Sequence, residues 1–196
     1  MLVTLVVEGP SDIPIARRVV QATGLEPGVA YSKGGKASLD AKLPAYNQAA
    51  VRQAWFVMRD LDHDERCAGT LVARLLPRPA AGMCLRLAVR EAEAWLLADR
   101  ERIAAYLAVP VSAVPADPDL LDDPKKALVD LGRRSRRRDI REDMTPRDGS
   151  TARVGPGFGA RVSEFSSRVW RPEVAAKASP SLARCLAALR KLKARG

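Results

Sequence analysis

The stretch Leu2-Val-Thr-Leu-Val-Val7, followed directly by Glu8-Gly9, decides the fold class of this chain. Its side chains are apolar or β-branched, which is typical of a strand buried on both faces of a parallel sheet. A helix follows, with Ser11 as its predicted cap and Gly24 at its end. The chain therefore begins with a strand–helix unit.

The same alternation of strand and helix patterns continues to about residue 98. Later strands are predicted at residues 29–32, 54–58 and 83–89, and helices at residues 38–50, 65–76 and 91–98. Strands that alternate with helices this closely imply right-handed crossovers between parallel strands. We therefore expect an α/β, Rossmann-like fold with a mainly parallel four-stranded sheet flanked by helices.

The pattern changes beyond residue 108. Prolines interrupt an acidic loop, a helix is predicted from Lys125 to Leu131, and a clear amphipathic helix is predicted at residues 181–193. We expect residues 1–108 to form the catalytic domain. Residues 109–196 are expected to form a basic, mostly helical extension packed on it, because that segment has too few apolar residues to fold alone.

The net charge of +10 is unevenly distributed along the chain. Residues 1–124 contain 14 Lys and Arg against 16 Asp and Glu, a net charge of −2, whereas residues 125–196 contain 19 against 7, a net charge of +12. A strongly basic segment beside an acidic one suggests catalytic carboxylates next to a polyanion-binding surface. Solubilising charge on helix faces is the alternative explanation.

Composition excludes several other kinds of site. The three cysteines have no CxxC spacing, which argues against a disulfide framework and against a zinc site. His63 is the only histidine, so Ser-His-Asp catalysis is not expected. The longest apolar runs are too short to cross a bilayer and no leader pattern precedes the first strand, so we expect a cytoplasmic protein without a membrane partner.

Carboxylates follow two of the predicted strands. Glu8 comes directly after the first strand, and Asp60, Asp62 and Asp64 follow the third. Side chains at the carboxyl ends of neighbouring parallel strands meet at one edge of the sheet. Crowded carboxylates repel unless a cation neutralises them, and Mg²⁺ or Mn²⁺ suits oxygen ligands. The alternative is an acidic loop that only caps the following helix.

Here the sequence resembles a known family. Glu8-Gly9 after a hydrophobic strand, Asp12 three residues later and Asp60-x-Asp62 after a third strand are similar to the motifs of a TOPRIM domain, over residues 2–98. Topoisomerases, bacterial primases, OLD-family nucleases and small ribonucleases that trim ribosomal RNA precursors share that βα fold. Residues 90–99 are also similar to a segment of small stand-alone TOPRIM-like bacterial proteins, some of them associated with phage defence.

The resemblance implies roles for particular residues. Glu8 would be a general acid/base or a metal ligand, and Asp60 and Asp62 would coordinate Mg²⁺. OLD-type nucleases use two metals, so Asp64, Glu91 and Glu93 are further candidate ligands, with Glu93 preferred over Glu91. On a helix Glu91 and Glu93 would lie about 200° apart, and a solvated helix N-terminus is the alternative for both.

The brevity of the chain is where it departs from the larger family members. Its length leaves no room for the second domain that supplies a topoisomerase tyrosine or a primase zinc module, so strand passage and primer synthesis are not expected. Metal-assisted hydrolysis remains. Function is accordingly predicted as that of a divalent-metal-dependent nuclease acting on DNA or RNA. The alternative is a non-catalytic nucleic-acid-binding or regulatory subunit of a larger system, such as a phage-defence system with a neighbouring ATPase.

Basic residues supply the predicted phosphate contacts. Lys36, expected to stabilise the transition state, and Lys33 flank Gly34-Gly35, whose backbone amides are expected to approach a phosphate; an ordinary turn is the alternative there. Further nucleic-acid-binding residues are predicted at Lys125, Lys126, Arg133, Arg134, Arg136, Arg137 and Arg138. A solvated helix face is the alternative for the arginine run. No aromatic residues interleave with that run, so base stacking on single strands is not supported there.

Overall fold

The strand Leu2–Val7 (β1) lies inside a four-stranded, all-parallel sheet in the computed structural model, which describes residues 1–194. Its neighbours are β2 (Glu26–Ser32) and β3 (Ala54–Asp60), and β4 (Met83–Ala88) pairs with the far side of β3. The strand order is β2-β1-β3-β4. The predicted α/β, Rossmann-like class is confirmed, and the adjacency of β1 and β3 places their carboxyl ends side by side.

Burial on both faces of the sheet explains the continuous apolar runs. In β1, Val3, Leu5 and Val7 face one hydrophobic cluster, whereas Val6 faces a second cluster that contains Trp55 of β3. A strand with both faces covered needs apolar side chains at odd and even positions alike. The sheet is therefore a rigid platform whose ends position the polar residues that follow.

Helices cover both faces of the sheet. Those of the first half are α1 (Asp12–Ala22), α2 (Lys36–Ala49), α3 (Ala68–Leu75), α4 (Ala92–Leu97) and α5 (Arg100–Leu107). Those of the second half are α6 (Pro124–Arg133), α7 (Arg138–Met144), α8 (Phe158–Arg168), α9 (Pro172–Ala175) and α10 (Pro180–Lys193). Short 3₁₀ turns at Val111–Ala113 and Pro118–Leu120 precede α6.

The observed element boundaries differ from the predicted ones where backbone pairing decides them. Strand β2 begins at Glu26 rather than residue 29, because Glu26 already pairs with Leu2. Strand β3 extends to Asp60, which pairs with Ala88, so Asp60 is the last residue of the strand. Helix α3 begins only at Ala68, since the preceding residue has an extended backbone.

The hydrophobic core is shared between the two predicted segments. One cluster of buried residues contains Val3 and Phe56 of the sheet together with Trp95, Trp170 and Leu186. The predicted extension therefore packs on the sheet, although its last two residues lie outside the described part of the chain; the division at residue 108 stays a prediction. Across residues 1–194, the structure contains no helix with the length and apolar character that a bilayer crossing requires.

Two fully buried tryptophans attach the second half of the chain to α4. Trp95 of α4 donates its indole N–H to Ser181 Oγ at 2.7 Å, and Trp170 donates its own to the carbonyl oxygen of Trp95 at 3.1 Å. Arg171 forms a salt bridge with the buried Asp99, with 2.6 Å between Nη2 and Oδ1. Because α4 also carries Glu93, these contacts position one of the candidate site residues.

Replacing Trp170 with alanine is expected to destabilise the whole protein. The substitution removes a fully buried indole and its hydrogen bond, a change that costs about 3–5 kcal/mol of unfolding free energy. Urea unfolding monitored by circular dichroism measures this loss. The control is Val174→Ala, at a position 37% exposed, with an expected change within about 0.5 kcal/mol. A loss below 1 kcal/mol for Trp170→Ala would contradict the shared core.

Candidate active site

Glu8 and Asp60 meet at the carboxyl edge of the sheet. Glu8 Oε1 accepts a hydrogen bond of 2.9 Å from the backbone N–H of Asp60. Asp60 Oδ1 in turn accepts one of 2.9 Å from the backbone N–H of Ala92, at the start of α4. The two predicted site residues are therefore brought together by the pairing of β1 with β3, and α4 fixes the orientation of the second.

Two more carboxylates face Asp60. Asp12, the first residue of α1, accepts a hydrogen bond of 2.8 Å from the N–H of Gly9, and Glu93 lies buried in the first turn of α4. Asp12 was part of the sequence motif but was not predicted as a site residue. The signal that could have found it is its spacing from Glu8, which lets the helix after the first strand turn back toward the strand end. We call Glu8, Asp12, Asp60 and Glu93 the edge carboxylates.

The edge carboxylates perturb one another. Burial, followed by the negative charges of Glu93, Asp12 and Glu8, raises the pKa of Asp60 well above its usual range. Burial is also the largest cause of the raised pKa values of Glu8 and Asp12. It raises the pKa of Glu93 to about 7, against the opposing charge of Lys125. Burial therefore disfavours the ionised form of all four acids, and at Asp60 the neighbouring carboxylates add to this effect.

Lys125, in the first turn of α6, is the cation of this site. Its Nζ lies 3.5 Å from Glu91 Oε1 and 3.5 Å from Glu93 Oε1, and its backbone N–H donates to Glu91 Oε2 at 2.8 Å. Burial lowers the pKa of Lys125, but the surrounding carboxylates, Glu93 and Glu91 first, outweigh burial and raise it. The predicted phosphate-binding lysine thus lies among the carboxylates.

Both glutamates of the α4 entrance reach Lys125, although helical spacing would separate them. Glu91 still has an extended backbone, with φ −131° and ψ 161°, and the helix begins only at the next residue. Its side chain therefore points to the same lysine as that of Glu93. Glu91 is bound by the ammonium and the backbone N–H of Lys125, which explains its place beside the edge carboxylates rather than in solvent.

Asp62 and Asp64 form a second group, compensated by other cations. Lys36 Nζ lies 2.8 Å from Asp62 Oδ2 and 2.7 Å from Asp64 Oδ1, and Arg59 Nη2 lies 2.7 Å from Asp64 Oδ2. Burial tends to raise the pKa of Asp64. The hydrogen bonds from Lys36 and Arg59 outweigh this effect and keep the pKa below its usual value. Lys36, predicted to be catalytic, and Asp64, predicted to bind a metal, are thus engaged in salt bridges with each other.

Arg59 is a site residue that sequence reasoning missed. Its side chain is 4% exposed and makes two hydrogen bonds to Asp40, at 2.8 and 2.9 Å, besides its contact with Asp64. The available signal was an arginine inside an otherwise apolar strand, since a buried guanidinium needs carboxylate partners. Arg59 Nη1 also donates to the carbonyl oxygen of Asp60 at 2.7 Å, which stabilises the end of β3.

The backbone amides of the Gly34-Gly35 turn donate within the protein, which favours the ordinary turn over the phosphate contact. The N–H groups of Lys33, Gly34 and Gly35 all donate to the carbonyl oxygen of Glu8, at 3.3, 2.9 and 3.1 Å. Both glycines have positive φ, 71° and 120°, which allows the chain to wrap around this oxygen. The turn therefore holds the backbone of Glu8 in place, and the ammonium groups of the flanking lysines remain the predicted phosphate contacts.

The arginine run forms two helix ends and the turn between them, rather than one helix face. Arg133 ends α6 and Arg138 begins α7. Salt bridges link basic residues to neighbouring acids in the pairs Lys126–Asp130, Arg133–Asp130, Arg137–Asp139 and Arg138–Glu142. Arg136 Nε donates to the carbonyl oxygen of Ala108 at 3.4 Å. Arg134 is exposed and has no salt bridge to any residue of the described chain.

The donor chemistry of the edge fits a hard divalent cation, because carboxylate oxygens are the ligands that Mg²⁺ and Mn²⁺ prefer. Yet no three His, Cys, Asp or Glu side chains within residues 1–194 are arranged as a ready-made metal site. Glu8 and Asp60 each direct one oxygen to a backbone amide, and Lys125 lies beside Glu93. Metal binding therefore requires the side chains around Lys125 to adjust.

Fold and site together define a Rossmann-like α/β protein with an acidic group, partly compensated by lysine, at the carboxyl edge of its parallel sheet. A scan against protein-family models, a search of curated proteins and a search of solved structures find no match. The resemblance to TOPRIM domains stays a prediction that rests on the motif residues.

Replacing Glu93 with glutamine is expected to stabilise the protein mainly at high pH. The folded state binds a proton at Glu93 with a pKa of about 7, above its unfolded value of about 4.3, so this residue contributes stability below pH 4 that is lost as the pH rises to 7. We expect the melting temperature of the variant to exceed that of the wild type by only a few degrees at pH 5, where this loss has just begun, and by on the order of 10 °C at pH 8, where it is complete.

Thermal melts of the two proteins at both pH values test this expectation. Glu26→Gln, at an exposed position at the start of β2, serves as the matched control and should show no difference between the two pH values. An equal shift for Glu93→Gln at pH 5 and pH 8 would mean that Glu93 does not carry the raised pKa.

Proposed function

We propose that this chain is a divalent-metal-dependent nuclease that hydrolyses phosphodiester bonds of DNA or RNA. The observation that carries the proposal is the convergence of the edge carboxylates, with Glu8 Oε1 2.9 Å from the backbone nitrogen of Asp60 and Asp60 itself partly buried near like charges. Structural salt bridges do not need four acids with so few cations. A cluster of this kind suits a site that binds extra positive charge during function.

Mg²⁺ or Mn²⁺ is the cofactor that the proposal requires. Glu8 and Asp60 would hold it, with Asp12 and Glu93 as additional ligands. When bound, such an ion lowers the pKa of a coordinated water and stabilises negative charge on a phosphoryl oxygen. Asp62 and Asp64 are proposed as ligands only where their salt bridges with Lys36 open, because Lys36 lies within 2.8 Å of both.

The protein side chains supply the remaining chemistry. Where Glu93 does not bind the metal, its pKa of about 7 suits a group that exchanges protons near neutral pH, and Glu8 is the second candidate acid/base on the same condition. Lys125 stays charged because its pKa is raised, and its Nζ lies 3.5 Å from Glu93, so it provides positive charge for the transition state beside the proton-transferring group. Lys36 would provide positive charge for the transition state on the opposite side of this edge.

Nucleic acid is the proposed partner because of the positive charge of the second half of the chain, part of which lies on α6 and in the turn that follows it. Residues 125–196 have a net charge of +12, and Lys126, Arg134 and Arg136 are exposed near the helix that carries Lys125. Such a surface attracts a phosphate backbone without reading its sequence, and its affinity falls with salt. The proposal locates the chain in the cytoplasm, where a neighbouring ATPase or another defence-system protein is a further proposed partner.

A second candidate function is a non-catalytic nucleic-acid-binding or regulatory subunit. The observation that favours it is the position of the two lysines: Lys36 neutralises Asp62 and Asp64, and Lys125 contacts Glu91 and Glu93. Acids that are neutralised by the protein's own lysines can stabilise a fold without a metal ion. Cleavage assays separate the two functions.

Replacing Asp60 with asparagine is expected to abolish cleavage while leaving nucleic-acid binding intact. The amide keeps an oxygen that can accept from Ala92 but removes the central negative charge, so we expect at least a hundredfold loss of rate. Plasmid, single-stranded DNA and structured RNA are incubated with the full chain in Mg²⁺ or Mn²⁺, and products are followed on gels. Glu26→Gln is the control that should cleave at the wild-type rate.

The outcomes of this assay are distinct. Cleavage by the wild type that is lost in Asp60→Asn, with binding unchanged, supports the nuclease. Folded wild-type protein that binds but cleaves none of the three substrates supports the binding subunit. Cleavage that persists in Asp60→Asn would show that the activity belongs to another site or to a contaminant.

Replacing Arg134 with glutamine is expected to weaken binding to a short DNA duplex without regard to sequence. Arg134 is exposed and has no salt bridge to any residue in the described range 1–194, so its charge is available to a phosphate. Loss of one phosphate contact reduces the slope of log affinity against log salt by about 1. Arg52→Gln, at the opposite edge of the sheet, is the control with an unchanged slope. An unchanged slope for Arg134→Gln would exclude it from the interface.

A further inference from the structure

An exposed aromatic stack lies beside the candidate active site. Tyr31 of β2 is 42% exposed, and its ring stacks on that of Trp55, with 6.5 Å between centroids and 14° between planes. Tyr46 of α2 stacks on the same indole at 5.3 Å and 19°. We call Tyr31, Lys33, Tyr46 and Trp55 the aromatic platform. Only Tyr31 presents much of its ring to solvent, because Tyr46 and Trp55 are each 8% exposed.

Lys33 adds a cation to the platform. Its ammonium nitrogen lies 4.9 Å from the centroid of the Tyr31 ring and 5.7 Å from that of Tyr46. A lysine held over tyrosine rings has its ammonium fixed by the attraction to their π faces. The platform thus combines a partly exposed aromatic face with a positioned positive charge.

Tyr31 and Lys33 connect the platform to the carboxyl edge of the sheet, whereas Trp55, the second residue of β3, lies toward the amino edge. Tyr31 pairs with Val6 and Ser32 with Val7, the residue before Glu8. The backbone N–H of Lys33 donates to the carbonyl oxygens of Val7 and Glu8, at 3.1 and 3.3 Å. Since a strand rises about 3.3 Å per residue and neighbouring strands lie about 4.8 Å apart, the backbone of Tyr31 is roughly 8 Å from that of Glu8.

Tyr46 and Trp55 form the inner part of the stack. Their polar atoms, Tyr46 Oη and Trp55 Nε1, are buried without a hydrogen-bond partner among residues 1–194. A ligand therefore meets the stack at Tyr31, the member with a substantially exposed ring.

We propose that Tyr31 stacks on a nucleobase of a single-stranded segment of DNA or RNA, while the ammonium of Lys33 contacts an adjacent phosphate. Stacking on an aromatic ring needs an unpaired base, because paired bases stack on one another inside a duplex. The aromatic residues are dispersed in sequence, so only the folded sheet assembles them. The inference rests on the proposed function for its ligand class, and it narrows the substrate to a chain with unpaired nucleotides at the site.

Binding of the full chain to a fluorescent single-stranded oligonucleotide, in EDTA so that no metal-dependent cleavage occurs, tests the proposal. Tyr31→Leu keeps apolar volume but removes the ring, and we expect it to weaken single-strand binding about tenfold, in the range measured when a stacking aromatic is lost. Tyr31→Phe keeps the ring and is expected to bind within twofold of the wild type. Lys33→Gln should weaken binding and reduce its salt dependence.

Duplex DNA of the same sequence is the matched ligand control, and Val51→Ala, at a 73% exposed position between α2 and β3, is the matched protein control. Both should show no specific effect: Tyr31→Leu should leave duplex affinity unchanged, and Val51→Ala should leave single-strand affinity unchanged. An oligonucleotide with abasic sites is expected to bind the wild type as weakly as the intact strand binds Tyr31→Leu. Melting temperatures confirm that each variant is folded.

The results that would overturn the proposal differ from those that would overturn the nuclease function. Equal losses on single strand and duplex, or unchanged single-strand affinity in Tyr31→Leu, exclude base stacking. A change in molecular mass in sedimentation, with oligonucleotide affinity unchanged, identifies the platform as a contact between copies of the chain and likewise overturns it. Single-strand binding that depends on Tyr31, without cleavage in Mg²⁺ or Mn²⁺, supports the aromatic platform and contradicts the nuclease function.

Discussion

The parallel pairing of β1 with β3 is the constraint on which the candidate site depends. Because the two strands run side by side in the same direction, the residue after one and the last residue of the other come together at one edge. Glu8 then accepts a hydrogen bond from the backbone N–H of Asp60, and this contact aligns both carboxylates. A shift of one residue in register would turn the side chain of Asp60 to the opposite face of the sheet.

Concentrating acids at this edge carries an electrostatic cost, which the fold offsets with lysine and arginine from distant segments. Lys125 reaches Glu91 and Glu93 from α6, whereas Lys36 and Arg59 neutralise Asp64. The offset is incomplete around Asp60, whose raised pKa reflects burial and three neighbouring acids. Asp62 and Asp64 thus have cationic partners, whereas the ionised form of Asp60 is disfavoured.

Much of the fold could be predicted because the buried faces of strands and helices require apolar residues at regular positions in the sequence. The apolar run of β1 and the alternation of strands with helices indicated the parallel sheet, and the placement of Glu8 and Asp60 at strand ends indicated their meeting. The cation partners could not be predicted in the same way. Nothing local to Lys125 shows that it folds back onto α4, since that contact depends on how the second half of the chain packs.

By itself, the sequence determined which segments become strands and which acids stand at their ends, because side-chain periodicity and strand polarity are local properties. The tertiary structure decided which charges meet. It paired Asp62 and Asp64 with Lys36, placed Lys125 among the edge carboxylates and directed the amides of the glycine turn to Glu8. It also assembled Tyr31 and Trp55 into one stack. These outcomes depend on distances between segments far apart in the chain, and electrostatic and stacking energies follow distance in space rather than separation in sequence.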